Sequence, residues 1–102
     1  MRVAFVPDLM DRSRLNGIPD LMIVSSAAAL DAIAGLGPGD VVAVDLSRPG
    51  ALDAAARAVV AGAKVIGFAS HVDNETIRAA NAVGVTAMAR SAFFGRASEL
   101  FA

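Results

Sequence analysis

Five short apolar runs alternate with longer segments of helical spacing, and this alternation limits the fold more than any other feature of the chain. The runs are Val3–Val6, Leu21–Val24, Val41–Val44, Lys64–Ala69 and Val85–Ala89. Because they are rich in Val and Ile and are bounded by Gly, Pro or polar residues, they are predicted to be strands. Strands that alternate with helices form parallel sheets joined by right-handed crossovers.

The segments between the runs carry start and stop signals for five helices. We predict them over 9–15, 27–34, 49–61, the residues after Asp73 or Asn74, and the residues after Ser91. Ser25 and Ser26 are N-cap candidates, and Gly35, Gly62 and Gly84 are typical of helix ends. Five strands in a small α/β domain favour the flavodoxin-like order 2-1-3-4-5, a three-layer sandwich around a parallel sheet.

Length and composition predict one domain over residues 1–102. The chain has 102 residues, and 56% of them are hydrophobic. Most of these are Ala, Val, Leu and Ile, which suits a sheet covered by helices on both faces. Only one helix is predicted after the fifth strand, so we expect no attached output domain.

Charge and cysteine content exclude several kinds of function. Nine basic and ten acidic residues are scattered along the chain, so neither a nucleic-acid surface nor a polybasic membrane patch is indicated. Since there is no cysteine, disulfides, thiolate catalysis and Cys-ligated metals are excluded. No apolar run approaches the roughly 18 residues of a membrane helix, and the run before Pro7 is too short for a signal peptide. We therefore expect a soluble cytoplasmic protein.

Polar residues follow three of the predicted strands. Asp45 follows the third strand, Ser70 the fourth and Arg90 the fifth. In open parallel sheets, ligands and chemistry gather beyond the carboxyl ends of the strands. A carboxylate, a hydroxyl and a guanidinium at that edge predict a site that handles an anion or a phosphoryl group.

In this order along the chain, the motifs resemble the receiver domain of two-component response regulators, and the resemblance covers nearly all of the sequence. It implies that Asp45 is the phosphoacceptor, with Pro49 completing the family's Asp-x-x-x-Pro spacing. Ser70 matches the Ser/Thr that follows the fourth strand. Arg90 and Ser91 stand where the family has Lys-Pro. The resemblance assigns Ser70 and Arg90 to sensing the phosphoryl group.

The resemblance also implies a Mg²⁺ site. Its protein ligands would be Asp8, Asp45 and the carbonyl oxygen of Ser47, since hard cations take oxygen ligands. Pro7 and Asp8 stand where the family has two acidic residues, so Pro7 removes one carboxylate. Asp11 is a substitute acid about one helical turn away. Asp8 has a second interpretation, because a carboxylate at that position also caps the first helix.

Two further departures from the family pattern support an alternative function. Arg90 replaces the lysine, and a planar guanidinium is not equivalent to a compact ammonium. Met88 occupies the family's aromatic position. The active interpretation is a stand-alone signalling protein, not an enzyme, that accepts a phosphoryl group from a histidine kinase. The alternative is a phosphorylation-independent pseudo-receiver that acts as a protein-interaction or dimerisation module.

Several side chains have a structural interpretation beside the functional one. Asp45 is either a nucleophile or a solvated aspartate that caps the turn at 47–49. Ser70 contacts a phosphoryl oxygen or bonds to local backbone. Arg90 binds an anion or pairs directly with Asp45. His71 is interpreted as a surface loop residue, because one histidine without a second ligand makes a poor metal site.

Phe93 and Phe94 are adjacent in the last predicted helix. Neighbouring helical residues differ in direction by about 100°, so one of them packs in the core while the other faces outward. The resemblance places partner contacts, or a homodimer interface, on the fourth helix, fifth strand and fifth helix. Edge-of-core packing is the structural alternative for the outward phenylalanine.

A third and weaker interpretation is a small α/β enzyme or ligand-binding domain that uses the same strand-end crevice. The chain has no Gly-rich phosphate loop after a strand and no obvious pair of nucleophile and base. Both absences argue against this interpretation.

Overall fold

The computed structural model describes residues 1–102 and contains one parallel sheet of five strands in the order β2-β1-β3-β4-β5. The strands are β1 (Arg2–Phe5), β2 (Leu21–Val24), β3 (Val41–Asp45), β4 (Lys64–Ala69) and β5 (Thr86–Ala89). Phe5 pairs in register with Val24 and Val44. The predicted flavodoxin-like fold is therefore confirmed.

Six short helices surround the sheet. They are α1 (Leu9–Ser13), α2 (Ala27–Asp31), α3 (Ala51–Val60), α4 (Asn74–Ala82), α5 (Arg90–Gly95) and α6 (Ala97–Leu100). Asp8, Ser26 and Asp73 cap α1, α2 and α4 through side-chain oxygens that accept backbone N–H bonds. None of the six combines the length and apolarity that a membrane span requires.

The sheet separates two apolar layers, because side chains on a strand alternate between its faces. Val42 and Val44 of β3 pack with α2, α3 and α4. Ala43 packs on the other face with α5, α6 and the segment that follows α1, which contributes Leu15 and Ile18. On the first side, α3 contributes the small residues Ala51, Ala54, Ala55 and Ala58. On the second side, the largest buried side chains are Phe68, Phe93 and Phe101. The sheet is buried on both faces, as the composition predicts.

The end of the chain differs from the prediction of one helix capped by Ser91. Helix α5 begins at Arg90, with Ala89 as its N-cap. Arg96 has a φ of −127° and separates α5 from α6. Gly95 precedes this break, and glycine is a poor helix former. The break allows residues of both helices to reach the same apolar layer.

The start of α3 also differs from its prediction. The helix begins at Ala51 rather than at Pro49, because Gly50 has a φ of 72°. This left-handed conformation favours glycine and lies outside the helical range. Pro49 therefore belongs to the turn between β3 and α3, beside the residues that follow Asp45.

Candidate functional site

Asp45, Ser70 and Arg90 lie at the same edge of the sheet. Asp45 is the last residue of β3, Ser70 follows β4, and Arg90 follows β5. All four neighbouring strand pairs are parallel, so the carboxyl ends meet at this edge. No hydrogen bond joins any two of these three side chains. Each of them makes its hydrogen bonds to other groups.

Asp45 is buried and is fully engaged by its own turn. Only 2% of the residue is exposed. Its Oδ1 accepts bonds from the backbone N–H of Ser47 at 3.0 Å and from the Ser47 hydroxyl at 2.7 Å. Its Oδ2 accepts a bond from Nε of Arg48 at 3.3 Å. Turn capping is thus confirmed, but the prediction of a solvated aspartate is wrong.

Leu46 anchors the chain directly after Asp45. Its backbone N–H donates to the carbonyl of Phe68 at 2.9 Å, and its side chain is buried. A Cβ on Gly67 of β4 would lie 2.6 Å from Cδ1 of Leu46 and 3.1 Å from Cγ1 of Val85. Gly67 therefore provides the space that lets Leu46 pack there and fixes where the Asp45 turn begins.

Asp11 and Arg90 form a second ion pair at this edge. Arg90 donates from Nη2 to Oδ1 of Asp11 at 2.6 Å, and 6% of Asp11 is exposed. The bond to Asp11 raises the pKa of Arg90 above its ordinary value. The guanidinium also lies 5.4 Å from the ring centroid of Phe68 and 5.5 Å from that of Phe94. The alternative in which Arg90 pairs directly with Asp45 is therefore wrong.

Asp8 caps α1, as its structural interpretation predicts. Its Oδ1 accepts bonds from the backbone N–H groups of Met10 at 2.9 Å and Asp11 at 3.0 Å. These two bonds, that from Asp11 first, hold the pKa of Asp8 below its ordinary value of 3.8. The carboxylate is exposed, so its main role in this arrangement is to begin the helix.

The carboxylates at this edge do not fit a Mg²⁺ ion. No three acidic or histidine side chains converge on a common point in the chain. Asp45 is bonded to Ser47 and Arg48, Asp8 to backbone N–H groups, and Asp11 to a guanidinium. Mg²⁺ demands near-ideal octahedral oxygen coordination, which these engaged groups do not prepare. Asp8, Asp45 and Ser47 are thus ligands that only the sequence predicts, and their contacts in the structure serve other purposes.

Ser70 and His71 are exposed loop residues. The Ser70 hydroxyl oxygen accepts a long bond from the backbone N–H of Val72 at 3.4 Å. This is the local backbone contact of its structural interpretation. The Ser70 side chain makes no contact that ties it to Asp45.

Phe93 and Phe94 point in different directions from α5, as helical geometry requires. Phe93 is completely buried and stacks on Phe68, with ring centroids 4.6 Å apart. Phe94 is half-buried and meets both rings edge-on. The guanidinium of Arg14 lies 4.3 Å from the Phe94 centroid and covers part of its outer side. One core phenylalanine is thus confirmed, and the other packs at the edge of the core.

The outer edge of β5 is blocked by a side chain of α4. Asn81 accepts a bond at Oδ1 from the N–H of Ala87 at 3.0 Å, and donates from Nδ2 to the carbonyl of Ala87 at 3.4 Å. Nδ2 also donates to the carbonyl of Ile77 at 3.0 Å. The amide thus replaces the strand that would otherwise pair there, which protects the edge from strand addition.

The sequence alone assigns no role to Arg48 and makes Asp11 only a substitute acid for the Mg²⁺ site. Arg48 lies three residues after Asp45 in the same turn, a spacing that could have signalled the pair. Asp11 and Arg90 are 79 residues apart, so only the tertiary fold joins them. No protein-family model, curated protein or solved structure matches this chain.

Proposed function

We propose that this chain is a receiver-like protein-interaction module that works without phosphorylation. The observation that carries the proposal is the engagement of each carboxylate at the strand ends. Asp45 is neutralised by Arg48, Asp11 by Arg90, and Asp8 is used as a helix cap. The site is therefore complete without a metal ion or a phosphoryl group.

Phosphoryl transfer to Asp45 would need an accessible carboxylate oxygen and a cation to stabilise the incoming charge. Asp45 is almost fully buried, and its nearest cation, Arg48, is already bonded to it. Arg90 is occupied by Asp11. Existing contacts of Asp45, Arg48 or Arg90 would have to break before either requirement was met. These contacts therefore favour a site that keeps one arrangement over a site that changes on phosphorylation.

The proposed contact surface consists of α4, β5 and α5, and the proposed partner is a second copy of the chain. Asn81 blocks backbone pairing along β5, so the contact would be made by side chains. Ala82, Val83 and Thr86 are exposed on this surface, and 43% of Val83 is accessible. Small side chains allow a partner surface to approach closely.

Amide NMR with beryllium fluoride and Mg²⁺ tests phosphorylation independence. Beryllium fluoride stands in for a phosphoryl group on an aspartate. We expect the shifts around Asp45 and Ser70 to match those of an Asp45→Asn control under the same additions. Shifts present in the wild type and absent in the control would overturn the proposal.

Sedimentation of two valine variants tests the contact surface. Val83→Lys places a charge on the proposed surface, whereas Val60→Lys places one at the end of α3, where 88% of Val60 is exposed. We expect the wild type and Val60→Lys to self-associate and Val83→Lys to do so more weakly. A monomeric wild type, or equal effects of the two substitutions, would remove this surface from the proposal.

One observation favours a second candidate function, in which Asp45 accepts a phosphoryl group. The Arg48–Asp45 contact of 3.3 Å is longer than the 2.7–2.9 Å typical of charge-assisted bonds, and 38% of the Arg48 side chain is exposed. Rotation of Arg48 toward solvent would free Oδ2. The beryllium fluoride spectra separate this candidate from the first.

A further inference from the structure

A small crevice opens at the carboxyl edge between the ends of β1, β2 and β3, on the side of α2 and α3. Its walls include Phe5, Pro7, Ser25, Ser26, Arg48 and Pro49, and its volume is about 250 Å³. Here the connections change from one face of the sheet to the other. Leu15 and Ile18, which follow α1, pack on one face, whereas α2 and α3 pack on the other. Ligands of open α/β sheets bind at such a switch point.

Arg48 brings to this crevice hydrogen-bond donors that no protein group accepts. Only its Nε bonds within the protein, to Oδ2 of Asp45, so both Nη groups lack a protein acceptor. A guanidinium has five N–H donors in a fixed fork that matches carboxylate and phosphate groups. Arg48 is therefore able to hold Asp45 through Nε and to bind an external oxyanion through its Nη groups.

The two serines add hydroxyl donors beside the guanidinium. Ser26 Oγ accepts the N–H of Ala29, and Ser25 Oγ accepts a bond from Arg12, so both hydroxyl hydrogens are free to donate. Arg12 forms no ion pair with a carboxylate. Its Nε donates to the carbonyl of Val6 at 3.0 Å. Arg12 thus adds positive charge beside Ser25, while the carboxylates of Asp8 and Asp45 lie near Arg48.

The remaining walls are apolar and limit the size of an occupant. Phe5, Pro7 and Pro49 offer carbon surface next to the polar groups. The volume lies below the roughly 300–1,000 Å³ of pockets that take drug-sized ligands. The crevice therefore combines an oxyanion-binding end with a small apolar compartment.

We propose that this crevice binds a small organic anion whose carboxylate or phosphate group contacts Arg48, Ser25 and Ser26. Its apolar part packs against Phe5 and the two prolines. This site goes beyond the interaction function proposed above and does not depend on it, because neither phosphorylation of Asp45 nor self-association is required.

Titration of the ¹⁵N-labelled chain with benzoate, phenyl phosphate and inorganic phosphate tests the site. We expect benzoate or phenyl phosphate to shift the amides of Ser25 and Ser26 and the Nε–H of Arg48. Inorganic phosphate should bind more weakly, because it has no apolar part. The stronger of the two organic probes identifies the preferred head group. Absence of shifts with all three probes, or shifts clustered elsewhere, would overturn the proposal.

Arginine variants provide the matched comparison. Arg48→Gln should weaken probe binding about tenfold or more, the equivalent of losing one charge-assisted hydrogen bond. Arg57→Gln is the control, because Arg57 is exposed and pairs with Asp31 away from the crevice. Equal binding by the two variants would refute the assignment.

A second variant covers the case in which Arg48→Gln fails to fold because Asp45 loses its partner. Ala27 also lines the crevice, and Ala27→Leu fills the space while Arg48 keeps its contact with Asp45. We expect this variant to melt cooperatively and to lose probe binding. Retention of wild-type affinity by a folded Ala27→Leu variant would contradict the proposal.

Discussion

Replacing Arg90 with Gln removes the cation from a carboxylate that the fold keeps away from water. Arg90 Nη2 lies 2.6 Å from Asp11 Oδ1, and 9% of the Asp11 side chain is exposed. Arg57 and Asp31 form a comparison pair with two hydrogen bonds, at 2.7 and 3.0 Å, and 37% of the Asp31 side chain is exposed. Both pairs join a guanidinium to a carboxylate. The Arg90 pair has one hydrogen bond and a nearly buried carboxylate, whereas the Arg57 pair has two hydrogen bonds and an exposed carboxylate.

The expected losses follow from that difference. A hydrogen bond to a charged group contributes about 1.5–3 kcal/mol, whereas exposed ion pairs contribute at most about 1 kcal/mol. The Arg90 side chain is 41% exposed, so solvent screening places its bond at the lower end of the first range. Its contacts with Phe68 and Phe94 add about 0.5 kcal/mol. We expect Arg90→Gln to lower the free energy of unfolding by about 2 kcal/mol and Arg57→Gln to lower it by much less, because the Arg57 pair is exposed to solvent.

Urea and thermal denaturation followed by circular dichroism measure both losses. In a domain of this size the loss corresponds to a fall in Tm of roughly 10 °C for Arg90→Gln, and we expect a clearly smaller fall for Arg57→Gln. A double-mutant cycle with Asp11→Asn should give a coupling energy of about 1 kcal/mol or more. Equal losses in the two arginine variants, or coupling near zero, would refute the assignment of Arg90 to a buried carboxylate.

Three further outcomes follow from the same contacts. Gly67→Ala should lower the free energy of unfolding by about 1–3 kcal/mol, because its Cβ would meet Leu46. Gly17→Ala is the control and should not destabilise the fold, because its Cβ would have no atom within 4 Å. Similar melting of the two variants would show that Leu46 does not pack there. Asn81→Ala should expose the edge of β5 and increase self-association in sedimentation, and an unchanged sedimentation profile would count against edge protection. The pKa of Asp8 is depressed in the folded state, so its stabilisation is present above its ordinary value of 3.8 and is lost as the pH falls through the folded pKa. Stability measured against pH should therefore fall more steeply below that value in the wild type than in Asp8→Asn, and parallel profiles would contradict the cap.

Much of the fold could be predicted because local patterns determine it. The apolar runs predicted all five strands, with bounds one residue away at β1, β3 and β5. Parallel pairing followed from the alternation of strands and helices, and parallel pairing alone placed Asp45, Ser70 and Arg90 at one edge. The end of the chain was harder to predict, because the break at Arg96 depends on how α5 and α6 share the apolar layer.

The partners of the site residues could not be predicted in the same way. Sequence identifies which charged groups reach an edge, but the choice among neighbouring carboxylates depends on side-chain directions. Arg90 extends to Asp11 on α1, whereas Asp45 is satisfied inside its own turn by Ser47 and Arg48. The burial of Asp45 is also a property of the fold, in which the Leu46 N–H bonds to the Phe68 carbonyl and ties the end of β3 to β4.

Electron density around Asp45, from crystals grown with Mg²⁺, tests the central claim most directly. We expect the Ser47 hydroxyl and the Arg48 guanidinium to contact the two carboxylate oxygens, with no metal between Asp8 and Asp45. A hydrated metal ion bound to Asp8, Asp45 and the Ser47 carbonyl, with Arg48 displaced into solvent, would contradict a site that is complete on its own.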